Sequence, residues 1–125
     1  MAPVGDGVEL LIGVRWDRRF GPVVLVGLGG LYTEILRDVA VALAPVDPAG
    51  AKRLLLSLRA APLLRGERGR PPVDIAAAAD AIKCLSRVAA SHPEIAEIEV
   101  NPLLVTADGA LGLDARMVPA SGEDR

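Results

Sequence analysis

The chain has 125 residues, 51% of them apolar, and carries 14 basic and 16 acidic side chains for a formal net charge of −2. With a mean hydropathy of +0.37 and 24% charged residues, it is too apolar for a disordered chain and too evenly charged for a nucleic-acid arm or a membrane-surface helix, which leaves one compact domain. One cysteine, Cys84, and one histidine, His92, exclude an intrachain disulfide and a thiolate or imidazole zinc cluster, and without a long uncharged apolar run or an N-terminal leader a soluble, cytoplasmic protein is expected.

Residues 1–7 read as a lead-in, 8–119 as the folded unit and 120–125 as a disordered tail. The apolar runs Val8–Val14 and Val23–Val26 predict two strands, separated by the charged and turn-forming stretch Arg15–Pro22. Gly27-Leu28-Gly29-Gly30 interrupts the pattern, and a third strand, irregular at its start, is expected within Leu31–Pro45, with Ile35, Val39, Val41 and Leu43 pointing one way. Leu31, Ile35 and Ala42 also fit a helical stripe, so both periods stay open there. From Asp47-Pro48, an aspartate cap and a proline in the first turn, Leu54, Leu55 and Leu58 recur at helical spacing between Lys52, Arg53 and Arg59. That predicts an amphipathic helix ending near Pro62.

Leu63–Pro72, with its arginines, glycines and prolines, opposes both periods and predicts an exposed loop. A second helix starts at Asp74, with Ile75, Ala78, Ala79, Ile82, Leu85 and Ala89 on one face and Asp80, Lys83 and Arg87 on the other. It stops before Pro93, since a residue preceding proline is pushed out of the helical region. Ile95–Asn101 alternates, placing Glu97, Glu99 and Asn101 on one face and leaving Ile95, Ile98 and Val100 to pack on the other. Leu103-Leu104-Val105, a turn at Asp108-Gly109 and Leu111–Arg116 complete two antiparallel strands joined by a hairpin.

Glu97, Glu99 and Asn101 on one strand face, with Asp114 on the returning strand, are the way a sheet presents a hard cation such as Mg2+ to a phosphorylated ligand, because that ion takes oxygen ligands and leaves several to water and phosphate. The same alternation describes the solvated face of an amphipathic strand, and Asn101 before Pro102 also suits a turn. The Gly27–Gly30 cluster follows an apolar strand but fails the dinucleotide fingerprint, Tyr32 standing where its third glycine belongs, and no Walker A lysine follows. A tight turn or a close approach between strands accounts for these glycines. Arg65, Arg68 and Arg70, interleaved with Gly66 and Gly69, form either a solvated loop or an anion-binding one.

Three blocks carry a family resemblance. Asp17–Pro45 resembles the segment FGPVV-x-x-GLGG-x-x-x-E-x-x-x-D of the ADP-forming acyl-CoA synthetases, which also occurs in protein acetyltransferases that carry an acyl-CoA-synthetase-like region. Leu63–Pro72 and Glu97–Arg116, the latter with Glu-Ile-Glu-Val-Asn-Pro-Leu-Leu-Val and Leu-Asp-Ala-Arg, are similar to two further blocks in the same order. The resemblance implies an α/β fold, the C-terminal lobe of an ATP-grasp domain like that of the succinyl-CoA synthetase β chain, with a mainly antiparallel sheet and two helices packed on one face. It implies that Asn101 and Asp114 hold the Mg2+ of bound ATP or ADP, that Glu99 is an accessory acid and that Arg116 faces phosphate oxygens. It also brings Arg65 and Arg68 toward phosphate or a partner subunit.

The resemblance further implies parts not matched here: a first lobe with a phosphate-contacting lysine, where Lys52 and Lys83 fall on predicted helices, and a phosphorylatable histidine, which His92 in its Ser-His-Pro-Glu turn does not match. The expected function is the Mg2+-nucleotide half-site of an enzyme that interconverts acyl-CoA, ADP and phosphate with carboxylate, ATP and CoA. This chain alone is expected to be inactive and to bind nucleotide weakly or not at all. Its expected partners are a separately encoded first lobe or a CoA-binding subunit, and a second copy in a homodimer. The alternative is a non-catalytic dimerisation or docking module derived from that domain.

Overall fold

The apolar run that predicts the first strand stops at Val14, but in the computed structural model β1 spans Val8–Asp17 and pairs antiparallel with β2, Gly21–Leu28. The structure describes residues 7–29, 38–67, 69 and 71–121. Charged and turn-forming residues join the strand because their partners lie elsewhere. Trp16 Nε1 donates to the Ala89 carbonyl at 3.0 Å, while the Asp17 carboxylate accepts the Arg19 and Phe20 N–H groups at 2.7 and 3.1 Å and closes a turn in which Gly21 takes φ +77°. Those two N–H groups hold the Asp17 carboxyl below the usual carboxylate range.

β3, Val39–Leu43, pairs with β2, so these residues follow the strand period, with Val39, Val41 and Leu43 exposed. The expected start of that strand, Ile35 included, lies outside the described residues. A Cβ on Gly27 would meet the Asp38 carbonyl oxygen at 2.8 Å, and one on Gly29 would meet the Leu10 backbone at 3.1 Å and the Asn101 side-chain oxygen at 3.3 Å. Close approach is what these two glycines serve.

α1, Pro48–Ser57, begins where expected, the Asp47 side chain accepting the Gly50 N–H at 2.6 Å ahead of Pro48. It ends at Ser57 rather than near Pro62. The buried Asp38 carboxylate accepts the N–H groups of Arg59 at 2.6 Å and Ala60 at 2.8 Å, drawing the chain out of the helix at Leu58 and into a short second one, α2, Ala61–Leu64. Leu63 and Leu64 therefore belong to α2, with Leu64 buried, and the exposed loop begins after them. α3, Ile75–Ser91, has the expected Asp74 cap on the Ala77 N–H at 3.0 Å and stops ahead of Pro93. Its buried face adds Ser86 to the expected apolar residues; the Ser86 hydroxyl donates to the Lys83 carbonyl at 2.9 Å and accepts the Val46 N–H at 3.1 Å, which makes its burial tolerable.

β4, Ile95–Thr106, continues through Pro102 instead of breaking there. Its pairing with β1 passes from Val100 opposite Ile12 to Leu103 opposite Leu10, so Asn101 and Pro102 form a bulge opposite Leu11 alone, a place where a strand accommodates proline. The bulge exchanges faces: Ile98 and Val100 pack on the core before it, Leu103 and Val105 after it. An irregularity between Ile95 and Glu97 brings Ile95 onto the same core face, out of phase with simple alternation. The single returning strand expected at Leu111–Arg116 is two, β5, Gly109–Gly112, and β6, Ala115–Pro119, each antiparallel to β4.

The strand order is β3-β2-β1-β4-β5, with β6 also on β4. α1 and α3 cover one face, with Leu10, Ile12, Leu55 and Ile82 wholly buried between the layers, and the mixed α/β fold with two principal helices on one side of an antiparallel sheet is the one the resemblance implies. Among the described residues, no helix is long and apolar enough to cross a membrane.

Candidate functional site

Strand parity sends Leu11, Gly13 and Arg15 of β1 and Glu97 and Glu99 of β4 to the face that the helices leave open, since their neighbours Leu10, Ile12, Val14 and Ile98 are in the core. The bulge then places Asn101 beside the break between β5 and β6. The Asn101 N–H donates to the Asp114 carbonyl at 3.0 Å and the Leu113 N–H to the Pro102 carbonyl at 3.0 Å, so bulge and break are stitched together. Glu99, Asn101, Asp114, Ala115 and Arg116 consequently line one shallow hollow of about 240 Å3. The structure brings together the four residues expected around a metal and phosphate.

Asn101 Nδ2 donates to Glu99 Oε1 at 3.4 Å, which turns the amide nitrogen toward that carboxylate. The hollow thus offers two carboxylates, with the Asn101 amide oxygen on the side of Gly29. Among the described residues, no three His, Cys, Asp or Glu side chains are grouped as a complete metal cage. An all-oxygen set this sparse fits Mg2+, which takes few protein ligands and keeps the rest for water and phosphate, and lacks the nitrogen and sulfur donors that favour zinc. Arg116 pairs with Glu97, Nη2 to Oε1 at 3.5 Å, and Arg15 Nη2 lies 3.6 Å from the other Glu97 oxygen. Arg65 sits exposed at the end of α2, its N–H bonded to the Ala61 carbonyl at 3.0 Å, and is not among the residues lining the hollow; Arg68 lies outside the described residues.

A second hollow of about 350 Å3 shares Glu99 with the first and has Leu11, Val23, Leu25 and Val41 as an apolar floor, with Arg15, Asp17 and Glu97 among its lining residues. Reading the residues for charged ligands passes over it. Its signal lies in β1, which is apolar at both parities through Leu10-Leu11-Ile12, as strands covered on both faces are.

Residues 1–118 match the family model of the ATP-grasp domain. The chain belongs to the ATP-grasp family. The β subunit of ADP-forming acetate–CoA ligase I from Pyrococcus furiosus is 42% identical to it over 118 residues, which is 94% of this ATP-grasp chain and 50% of that subunit. The ADP-forming 4-hydroxybutyrate–CoA ligase of Nitrosopumilus maritimus is 41% identical over 106 residues, 85% of this chain and 15% of the ligase. Among solved structures, the dinucleotide-forming acetyl-coenzyme A synthetase 1 of Ca. Korarchaeum cryptofilum, in complex with coenzyme A and Mg-AMPPCP, matches with a TM-score of 0.88 at 39% identity, covering 96% of this chain and 55% of that one. The ATP-grasp chain thus spans 50% of the Pyrococcus subunit and a smaller share of the Nitrosopumilus ligase.

Proposed function

We propose that residues 8–119 are the C-terminal lobe of an ATP-grasp domain and supply, in the cytoplasm, the Mg2+-nucleotide half-site of an ADP-forming acyl-CoA synthetase-like ligase. The complete enzyme interconverts acyl-CoA, ADP and phosphate with carboxylate, ATP and CoA. The observation that carries this reading is the hollow in which the β4 bulge sets Asn101 beside Asp114, with Glu99 and Arg116 around them. Asn101 and Asp114 hold Mg2+, Glu99 assists, and Arg116 presents its guanidinium fork to phosphate oxygens. The metal, when bound, neutralises phosphoryl charge, which is the main demand of phosphoryl transfer. The chain's own contribution is to hold these groups on a paired strand and its bulge, where their positions are constrained. The apolar floor beside them suits the faces of a nucleotide base.

Lys52 and Lys83 lie on α1 and α3, which pack on the opposite side of the sheet. A phosphate-contacting lysine therefore comes from a first ATP-grasp lobe, in the same or another polypeptide, and a CoA-binding subunit is the second partner; these 125 residues bind nucleotide without turning it over. Calorimetry with Mg2+ and ADP or ATP is expected to give a Kd in the high micromolar range or weaker, about −5 kcal/mol, because one lobe makes only part of the contacts. No Mg2+-dependent binding at millimolar nucleotide would leave the second reading, a non-catalytic docking or dimerisation module.

The observation favouring that module is the edge strand β3, on which Val41 is 56% and Leu43 60% exposed. Under the module reading this edge is left to be covered among the described residues, and a symmetric contact between two copies does so. Sedimentation equilibrium is expected to give about twice the 13.0 kDa of the chain. A species of 13.0 kDa throughout a concentration series would overturn the homodimer.

A further inference from the structure

Glu97 lines the second hollow, next along the strand face from the shared Glu99, and engages two arginines, Arg15 and Arg116. Arg15 is its direct partner across β1 and β4. Arg116 is not. The β4–β6 register sets Arg116 opposite Glu99, yet its guanidinium reaches diagonally to Glu97 at 3.5 Å. On its other flank Glu99 faces Gly13, which brings no side chain. Glu99 is left with the Asn101 amide at 3.4 Å, and among the described residues neither Glu99 nor Asp114 has an ion-pair partner. Glu97 is also the most enclosed member of the triad, its side chain 23% exposed against 74% for Arg15 and 67% for Arg116.

The charge arrangement follows from these contacts. Across the two hollows two arginines stand against four carboxylates, Asp17, Glu97, Glu99 and Asp114, and Glu97 draws the positive charge to one side, so a ligand arriving over Glu99 and Asp114 meets net negative charge. A polyphosphate without metal is repelled there, whereas its Mg2+ complex carries the charge those carboxylates take. We propose that Glu97 is a positioning residue that makes phosphate binding on this face conditional on the divalent cation, by engaging Arg15 and one nitrogen of Arg116 so that neither arginine pairs with Glu99 or Asp114, while the rest of the Arg116 fork stays in the hollow for phosphate brought by the metal. The inference rests on the half-site reading above and adds to it a residue that sets selectivity for the metal complex over the free nucleotide.

Exposed ion pairs contribute little to stability, so Glu97→Gln is expected to leave the melting temperature within about 3 °C of wild type. Sodium tripolyphosphate, titrated with Mg2+ and again with a chelator, is the probe; the backbone amide shifts of Glu99, Asn101 and Asp114 and the Nε–Hε signals of Arg15 and Arg116 are the readout. Wild type is expected to bind the Mg2+ complex at least about tenfold more tightly than the free anion. In Glu97→Gln that preference is expected to fall to about twofold, because the freed arginines now serve the uncomplexed anion, and Glu97→Asp is expected to restore part of it. A Glu97→Gln protein that binds with the wild-type preference, or that weakens both forms equally, would overturn this role while leaving the half-site standing. A wild-type chain whose Glu99, Asn101 and Asp114 signals respond to neither form would overturn the half-site and this role with it.

Discussion

Asp38→Ala is expected to destabilise the fold by about 2–5 kcal/mol, because each buried donor left without a partner costs roughly 1–3 kcal/mol. The carboxylate is 5% exposed, and its two oxygens accept the Arg59 and Ala60 N–H groups at 2.6 and 2.8 Å. Those two groups lie between α1 and α2, beside the buried Leu58, Ala60, Ala61 and Leu64. Asp38 also stands at the entry to β3, its carbonyl accepting the Leu28 N–H at 3.3 Å and approached closely by Gly27. One side chain thus ties the edge of the sheet to the join between two helices. At this chain length the melting temperature should fall by about 10 °C or more, and Asp38→Asn, which keeps one acceptor oxygen, should fall about half as far. A melting temperature within about 2 °C of wild type for Asp38→Ala would show that the two N–H groups find water or other partners.

Asp114→Asn should weaken Mg2+-dependent nucleotide binding by about 10–100-fold, the scale on which metal sites respond to changes in the groups around the ion. The side chain is exposed, so the fold should stay within about 0.5 kcal/mol of wild type. Its link to Asn101 also survives, because that bond uses the Asp114 carbonyl and not the carboxylate. What changes is the charge of one of two carboxylates in the hollow. With wild-type binding already weak, the calorimetric signature is a loss of the difference between titrations with and without Mg2+. Identical isotherms for wild type and Asp114→Asn would remove Asp114 from the site. If neither protein binds nucleotide, the docking-module reading stands.

Features that depend on neighbours three or four residues away were legible in the chain. The Asp47 and Asp74 caps, the proline at the start of α1 and the stop before Pro93 each follow from local backbone chemistry. The apolar face of α3 follows from a 3.6-residue period, and the oxygen-bearing row Glu97, Glu99 and Asn101 from a period of two. The three motif blocks likewise placed Asn101 and Asp114 in one candidate site before any strand was paired.

Tertiary structure decided whatever depends on a partner far along the chain. The extension of β1 to Asp17 is accompanied by a bond from Trp16 to Ala89, 73 residues on, and the end of α1 is drawn by Asp38, 21 residues before Arg59. The bulge at Asn101-Pro102 exists only relative to β1, and only with β5 and β6 in place does Asp114 come beside it. Alternation put Glu97 and Glu99 on one face as equals. The difference between them, one engaged by two arginines and the other left beside an amide, comes from the diagonal reach of Arg116 and the missing side chain at Gly13. No period along a single strand encodes that, because it is set by which residues the neighbouring strands bring alongside.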